Sequence, residues 1–134
     1  MTASWASGAR PGRIQPSQAF LHGRVSFEWQ DGCAFLVWRS EVDDPRFPDG
    51  IAIFGGDDQA QTLFIRYLDE RGVSRKYDIA LNAEGFTMQR MDPKFSQRMT
   101  FRIDPGVQRI VSKGEMSREG GTWEDDLSMT YERL

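Results

Sequence analysis

The side chains in this sequence that could do chemistry are arginines, tyrosines, tryptophans and one aspartate near the end of the chain. They lie in short segments where polar and apolar residues alternate, and the alternation puts Tyr67, Arg75, Tyr77, Arg90 and Asp125 on the apolar face. Buried charges are normally paired or face water, because burying an unpaired charge is costly. The pattern therefore predicts a wet cavity with a polar end. There Arg75 and Arg90, near Tyr77, would bind an anionic or carbonyl group through the fixed fork of donors on each guanidinium.

Two other interpretations of the same residues stay open at this point. In the first, Asp125 forms an internal salt bridge with one arginine, and the other arginine reaches an open mouth of the β-barrel that the strand pattern predicts below. In the second, Asp125 is a desolvated carboxyl with a raised pKa, placed opposite Gly114, and it serves as a general acid or base. The protein would then be an isomerase or cyclase acting on a polyketide- or terpenoid-like substrate. Whether it is an enzyme is left uncertain, and binding without catalysis is favoured.

Composition narrows the chemistry further. The chain has 134 residues and a formal net charge of −3, with Cys33 as its one cysteine and His22 as its one histidine. One cysteine excludes an internal disulfide and a Cys-based zinc site, and one histidine excludes a multi-histidine metal centre. We therefore predict no metal and no cofactor. The acidic balance predicts no nucleic-acid partner, and without a long apolar run we expect no membrane partner and a cytoplasmic location.

Turn residues divide the chain after Arg24 into short segments of the kind found in all-β sandwiches and barrels. The candidate strands are 2–7, 24–30, 33–42, 51–55, 61–69, 73–81, 86–91, 96–103, 108–117 and 122–132. Short turns join them without a long return connection, which predicts an antiparallel up-and-down β-barrel of about 8–10 strands. A barrel of this size can hold one small ligand. Residues 1–134 form one domain, in which 1–23 supply the first strand and an irregular lead-in.

The expected turn lengths fix the register of each hairpin, and the register fixes which side chains face inward. A two-residue Asp31-Gly32 turn pairs Phe27 with Leu36, and a loop over 118–121 pairs Gly114 with Asp125. Further pairs are Ile65 with Tyr77, Tyr67 with Arg75, Leu81 with Phe86, Ile79 with Met88, and Phe101 with Ile110. The predicted ligand contacts on this inner face are Trp29, Trp38, Tyr67, Arg75, Tyr77, Arg90, Trp123, Asp125 and Tyr131.

Several sequence runs resemble a bacterial family of lipocalin-like (calycin) proteins. They are Gly-Arg-Val-Ser-Phe-Glu-Trp at 23–29, Asp-Gly-Cys-Ala-Phe-Leu at 31–36, Asp-Pro-Arg-Phe-Pro-Asp at 44–49, Tyr67 with Gly72-Val73, Phe-Ser-Gln-Arg at 95–98, and Gly-Thr-Trp-Glu-Asp-Asp-Leu at 121–127 followed by Tyr131. The similarity spans nearly the whole chain. That family is related in fold to nitrobindin-like and fatty-acid-binding proteins. The resemblance implies a β-barrel with a central cavity for a small-molecule ligand.

Two departures from the family pattern matter. Nitrobindin-like proteins bind haem through a histidine near the end of the chain, whereas residues 122–134 here contain none. Haem binding, with His22 as the remaining candidate ligand, is therefore kept only as a lesser alternative. The chain also begins close to Trp5, which corresponds to the tryptophan of the family's first strand. A weak first strand would leave an open edge, so we expect that a second copy can pair there as a homodimer.

Overall fold

The structure is a computed structural model that describes the backbone of residues 2–8 together with residues 21–133. Ten strands account for most of these residues. They are β1 (Thr2–Gly8), β2 (Leu21–Trp29), β3 (Leu36–Val42), β4 (Gly50–Asp57), β5 (Thr62–Asp69), β6 (Ser74–Leu81), β7 (Gly85–Arg90), β8 (Phe95–Asp104), β9 (Arg109–Arg118) and β10 (Glu124–Arg133). The helical structure within the described part is one turn of 3₁₀ helix, Asp31–Cys33, and no described helix is long and apolar enough to cross a membrane.

The strands form one antiparallel up-and-down barrel, which confirms the predicted fold class. From β2 to β10 each strand pairs with its neighbour in sequence, giving nearly closed walls. β1 closes the barrel, because its backbone pairs with β10 on one side and β2 on the other. Of the predicted lead-in, residues 9–20 lie outside the described part of the chain, and residues 21–23 belong to β2.

Alternation along the strands produces the barrel wall, with every second side chain facing inward. The predicted register is confirmed for β5 with β6, where Ile65 lies opposite Tyr77 and Tyr67 opposite Arg75. It is also confirmed for β6 with β7, where Leu81 lies opposite Phe86. The core at mid-height consists of fully buried or nearly buried side chains from around the barrel. They are Val25, Ala52, Ile65, Tyr77, Met88, Phe101 and Tyr131.

Two predicted hairpin registers were wrong by two residues. Phe27 lies opposite Trp38 rather than Leu36, and Phe101 lies opposite Ser112 rather than Ile110. In both hairpins the connection is longer than predicted. The first contains the 3₁₀ turn, with the backbone N–H of Cys33 donating to the carbonyl of Gln30. A shift of two residues preserves the face of every side chain, so the predicted inner face survives both errors.

The register predicted for β9 with β10 was also wrong, and here the error changes a face. Asp125 lies opposite Glu115, and pairing resumes with Ser128 opposite Lys113. Two residues of β10 therefore face one residue of β9, which is a β-bulge. Gly114 lies beneath the bulge, where an added Cβ would come 2.7 Å from the carbonyl oxygen of Leu127. The missing side chain makes room for the bulged backbone, not for a carboxylate as predicted.

Candidate ligand-binding cavity

The interior changes character from one end of the barrel to the other. On β5 the inward residues run Leu63, Ile65, Tyr67, and on the neighbouring β6 they run Ile79, Tyr77, Arg75. β7 and β8 follow the same order, from Phe86 to Arg90 and from Ile103 to Gln97. We call the first end, where the loops after β2, β4, β6 and β8 lie, the apolar end. We call the opposite end the polar end. The alternation thus builds an apolar compartment over a packed middle layer and a polar layer.

A cavity of about 960 Å³ opens at the apolar end. Its volume is at the upper end of the range usual for small-molecule sites. Most of the side chains that line it are aromatic or aliphatic, and they come from strands all around the barrel. Among them are Trp29, Trp38, Phe54, Leu63, Phe101 and Tyr131. Three of the predicted contact residues, Trp29, Trp38 and Tyr131, therefore lie together in one cavity wall.

Trp38 is the centre of the aromatic packing in this wall. Its ring stacks on Phe27 at 5.4 Å between centroids and on Phe54 at 6.0 Å. It also meets the edges of Phe101 and Tyr131, each at 5.8 Å. Contacts of this kind on several sides fix the indole in one orientation. The inner part of the cavity is therefore a preformed surface of defined shape.

The mouth of the cavity combines exposed apolar side chains with cations. Trp29 is 61% exposed and Leu81 is 69% exposed, although both line the cavity. Arg109 hydrogen-bonds the Glu132 carboxylate at 3.0 Å, whereas the Arg133 guanidinium donates to the amide oxygen of Gln108 at 3.4 Å. Within the described part of the chain, Arg133 makes no ion pair. Its charge is therefore available to a group at the mouth.

The polar end contains the arginines and tyrosines that the sequence singled out. The amide oxygen of Gln97 accepts hydrogen bonds from the Tyr77 hydroxyl at 2.8 Å and from Arg75 at 3.2 Å. Arg90 lies 3.7 Å from the Asp92 carboxylate and donates weakly to the carbonyl of Phe95. Burial raises the pKa of the Tyr77 phenol, although Arg75 and Arg90 oppose the rise. Arg75, Tyr77 and Arg90 thus lie near one another, but they do not line the cavity.

Tyr67 belongs to a second polar cluster at this end, centred on Asp69. The Asp69 carboxylate is fully covered; it accepts a hydrogen bond from the Tyr67 hydroxyl at 2.9 Å and pairs with Arg71 at 2.7 Å. Hydrogen bonds from Arg71, then from Tyr67 and backbone N–H groups, hold the pKa of Asp69 at about 2, below its ordinary 3.8. Burial and the Asp69 hydrogen bond raise the pKa of Tyr67. This cluster fixes the β5–β6 turn, so we assign it to stability.

We expect Asp69→Asn to destabilise the protein by about 2 kcal/mol at pH 7, because charge-assisted hydrogen bonds are lost. Asp69 has a lower pKa in the folded protein than in the unfolded chain. Its stabilisation is therefore complete above about pH 4 and is lost as the pH falls towards 2. Urea unfolding at several pH values should show the difference between wild type and variant shrinking below pH 4. Asp57→Asn is the control, because Asp57 bonds to backbone N–H groups in an exposed turn. If the loss in unfolding free energy changes with pH equally in Asp69→Asn and Asp57→Asn, the stabilising role assigned to the Asp69 carboxylate is wrong.

The two remaining predicted contacts, Trp123 and Asp125, lie outside the barrel wall. The Arg98 guanidinium lies 4.0 Å from the centre of the Trp123 ring and forms a two-point pair with Glu115. The Asp125 carboxylate is about half exposed and lies 4.0 Å from the Lys113 ammonium. The bulge therefore moves Asp125 to the outer face. The carboxylate on the inner side is instead Asp126, whose charge adds to the rise in the pKa of Tyr77.

Sequence reasoning missed Gln97, Asp126 and most of the apolar wall. Gln97 was detectable, because it alternates with Met99 and Phe101 on β8. Asp126 was not detectable, since a bulge leaves no clear sign in the sequence.

His22 is exposed on β2, and its alternation with Gly23 and Val25 places it outside the wall. Among the described residues no group of three or more histidine, cysteine or acidic side chains could hold a metal ion.

Comparison with known proteins finds no family model that matches this chain and no similar curated protein. The closed antiparallel barrel is consistent with a calycin-like fold.

Proposed function

We propose that this protein binds a small, partly apolar, anionic molecule in the cavity at the apolar end, without transforming it. The observation that carries the proposal is a preformed cavity of about 960 Å³, walled by aromatic and aliphatic side chains and open at one end. A large apolar pocket with a few polar groups at its edge is the usual form of a small-molecule site. The expected resemblance to lipocalin-like and fatty-acid-binding barrels agrees with this proposal.

The apolar part of the ligand would fill the cavity and displace water from its wall. Burial of apolar surface stabilises a complex by roughly 25 cal/mol per Å² before the costs of association are counted. Leaving Trp29 and Leu81 exposed at the mouth is unfavourable in the free protein, and a ligand that covers them removes that cost. The mouth therefore favours a ligand long enough to extend from the interior to the rim.

The charged end of the ligand would lie at the rim, near Arg133. This differs from the anchor at Arg75, Arg90 and Tyr77 that the sequence predicted, because those three side chains are at the polar end. At the rim a carboxylate keeps part of its hydration while it contacts the guanidinium, so it avoids most of the desolvation penalty. An acid/base role for Asp125 is not proposed, since its carboxylate lies outside the cavity wall.

The test is a titration with Nile red, a neutral apolar dye, followed by displacement with undecanoic acid. We expect saturable binding and full displacement by the acid. Arg133→Gln should weaken undecanoic acid about threefold, the effect of one exposed charge contact, and should leave Nile red binding unchanged.

The double variant Arg75→Ala/Arg90→Ala distinguishes the two anchors. If it alone weakens undecanoic acid, the ligand's charge lies at the polar end and the placement proposed here is wrong. If the folded wild-type protein shows no saturable binding of Nile red and undecanoic acid does not displace the dye, the binding function itself is wrong. Native mass spectrometry of the purified protein, before and after denaturing extraction, should also reveal any ligand that purifies with it.

A further inference from the structure

The aromatic wall of the cavity contains a polar atom that its packing does not satisfy. The indole Nε1 of Trp38 is buried, and it has no hydrogen-bond partner in the described structure. An indole N–H can only donate, and leaving a buried donor without an acceptor costs free energy. Trp38 lines the cavity, but Nε1 itself has almost no exposed surface, so an acceptor brought by a bound molecule reaches it only when the packed rings shift.

A hydroxyl pair lies in the same part of the barrel. Ser112 is 1% exposed and Tyr131 is 2% exposed, and the Tyr131 ring touches Trp38. The Ser112 hydroxyl has no hydrogen-bond partner of standard geometry, although it is close enough to Tyr131 to oppose the burial-driven rise in the pKa of that phenol. The Trp38 indole and the Ser112 hydroxyl, both beside Tyr131, are therefore two unsatisfied polar groups in an otherwise apolar interior, which we call the polar spot. The Tyr131 hydroxyl itself donates to the Met129 sulfur at 3.2 Å.

We infer that the ligand carries a neutral oxygen acceptor, a ketone, ester or hydroxyl oxygen, at the end that enters the cavity first, and that this oxygen accepts a hydrogen bond from Trp38 Nε1. The inference rests on the proposed function and specifies its ligand class. The ligand is an elongated molecule with a neutral oxygen at its inner end and an anionic group at the rim.

The charges around the spot explain why the inner oxygen is neutral. The side chains packed on Trp38 are Phe27, Phe54, Phe101 and Tyr131, none of which carries a positive charge. A carboxylate buried there would lose its hydration without gaining a cation, whereas a carbonyl oxygen needs only a donor. Arg109 and Arg133 line the same cavity but come from the end of the barrel where Trp29 is exposed.

The experiment compares two ligands that differ by one carbonyl, methyl nonyl ketone and undecane, each displacing Nile red from the full-length protein. The ratio of their affinities is measured in wild type, Trp38→Phe and Trp29→Phe. In Trp38→Phe we expect the affinity for the ketone to fall roughly tenfold relative to the affinity for undecane, because one well-placed hydrogen bond is lost. Trp29→Phe should leave the ratio unchanged, because the same substitution at the mouth removes an N–H from a side chain that is already 61% exposed.

A second measurement uses the wild-type protein and does not depend on the folding of a variant. The indole N–H resonance of Trp38, assigned by NMR, should move downfield on addition of methyl nonyl ketone and stay near its free position with undecane. If both compounds displace Nile red but the affinity ratio is the same in wild type and Trp38→Phe, and the resonance does not respond to the ketone, the inference is overturned and the binding function stands. If neither compound displaces Nile red, the proposed function fails with it.

Discussion

Gly85→Ala should destabilise the protein by about 3 kcal/mol, a large part of the total stability of a domain of this size. Gly85 begins β7, opposite Arg102 of β8, and a Cβ there would lie 2.1 Å from the backbone carbonyl oxygen of Phe101. The φ of Gly85 is not positive, so the requirement for glycine comes from the close approach of two backbones. Relief of the clash must separate β7 from β8, and no rotation of a side chain can provide it.

Urea unfolding of Gly85→Ala beside Gly56→Ala measures this effect. A Cβ on Gly56 would meet Leu63 and Thr62 at 3.6 Å, an ordinary contact, so we expect Gly56→Ala to stay within about 0.5 kcal/mol of wild type. Gly85→Ala should also weaken ligand binding. Phe101, whose backbone must move, stacks on Phe86 at 4.5 Å, and both rings line the cavity. Equal unfolding midpoints for the two variants would show that the barrel accommodates the extra atom.

The parts of the fold that could be predicted depend on alternation, and the parts that could not depend on the lengths of connections. The pairing of Tyr67 with Arg75 follows from a short turn whose glycine, Gly72, has a positive φ. The β2–β3 connection also contains an Asp-Gly pair, but Cys33 adopts a positive φ as well, and the loop is longer than the pair suggests. Because the period of a strand is two, that error left every side chain on its predicted face. The bulge before Ser128 shifts pairing by one residue, which is why Trp123 and Asp125, both predicted to face inward, lie on the outer side.

The site was harder to predict than the fold, because alternation specifies a face and not a height along the barrel. Arg75 and Trp29 were both correctly placed on the inner face, but Arg75 lies at the polar end and Trp29 at the mouth of the cavity. Their separation depends on which ends the successive loops occupy. The sequence prediction placed the ligand beside polar side chains, because these can form hydrogen bonds and ion pairs. The cavity formed instead where the inward residues are large and apolar, and those at its mouth, such as Trp29 and Leu81, remain exposed.

Gly56→Phe should reduce the affinity for Nile red and undecanoic acid by about tenfold or more while leaving the fold intact. Gly56 lines the cavity near its mouth, and its missing Cβ would point towards the inward side chain of Leu63. A phenyl ring at this position would occupy part of the entrance and remove volume from a site whose affinity depends on apolar contact. A Cβ at this position meets Leu63 and the Thr62 carbonyl at 3.6 Å, an ordinary contact distance, so the side chain begins without a backbone clash. It also covers apolar surface, so we expect stability to be unchanged or slightly higher.

Thr62→Phe is the matched control, because it adds the same ring on the outer face of β5 immediately before Leu63. Thr62 is exposed and lies opposite Asp57, so the ring adds apolar surface without entering the barrel. We expect this variant to bind as the wild type does. Both variants should be compared at equal folded fraction, measured by circular dichroism and urea unfolding. If Gly56→Phe is folded and keeps wild-type affinity for both ligands, the ligand does not pass through this mouth and the cavity is not the binding site. If both variants lose affinity equally, the loss comes from the added apolar surface and not from the blocked entrance.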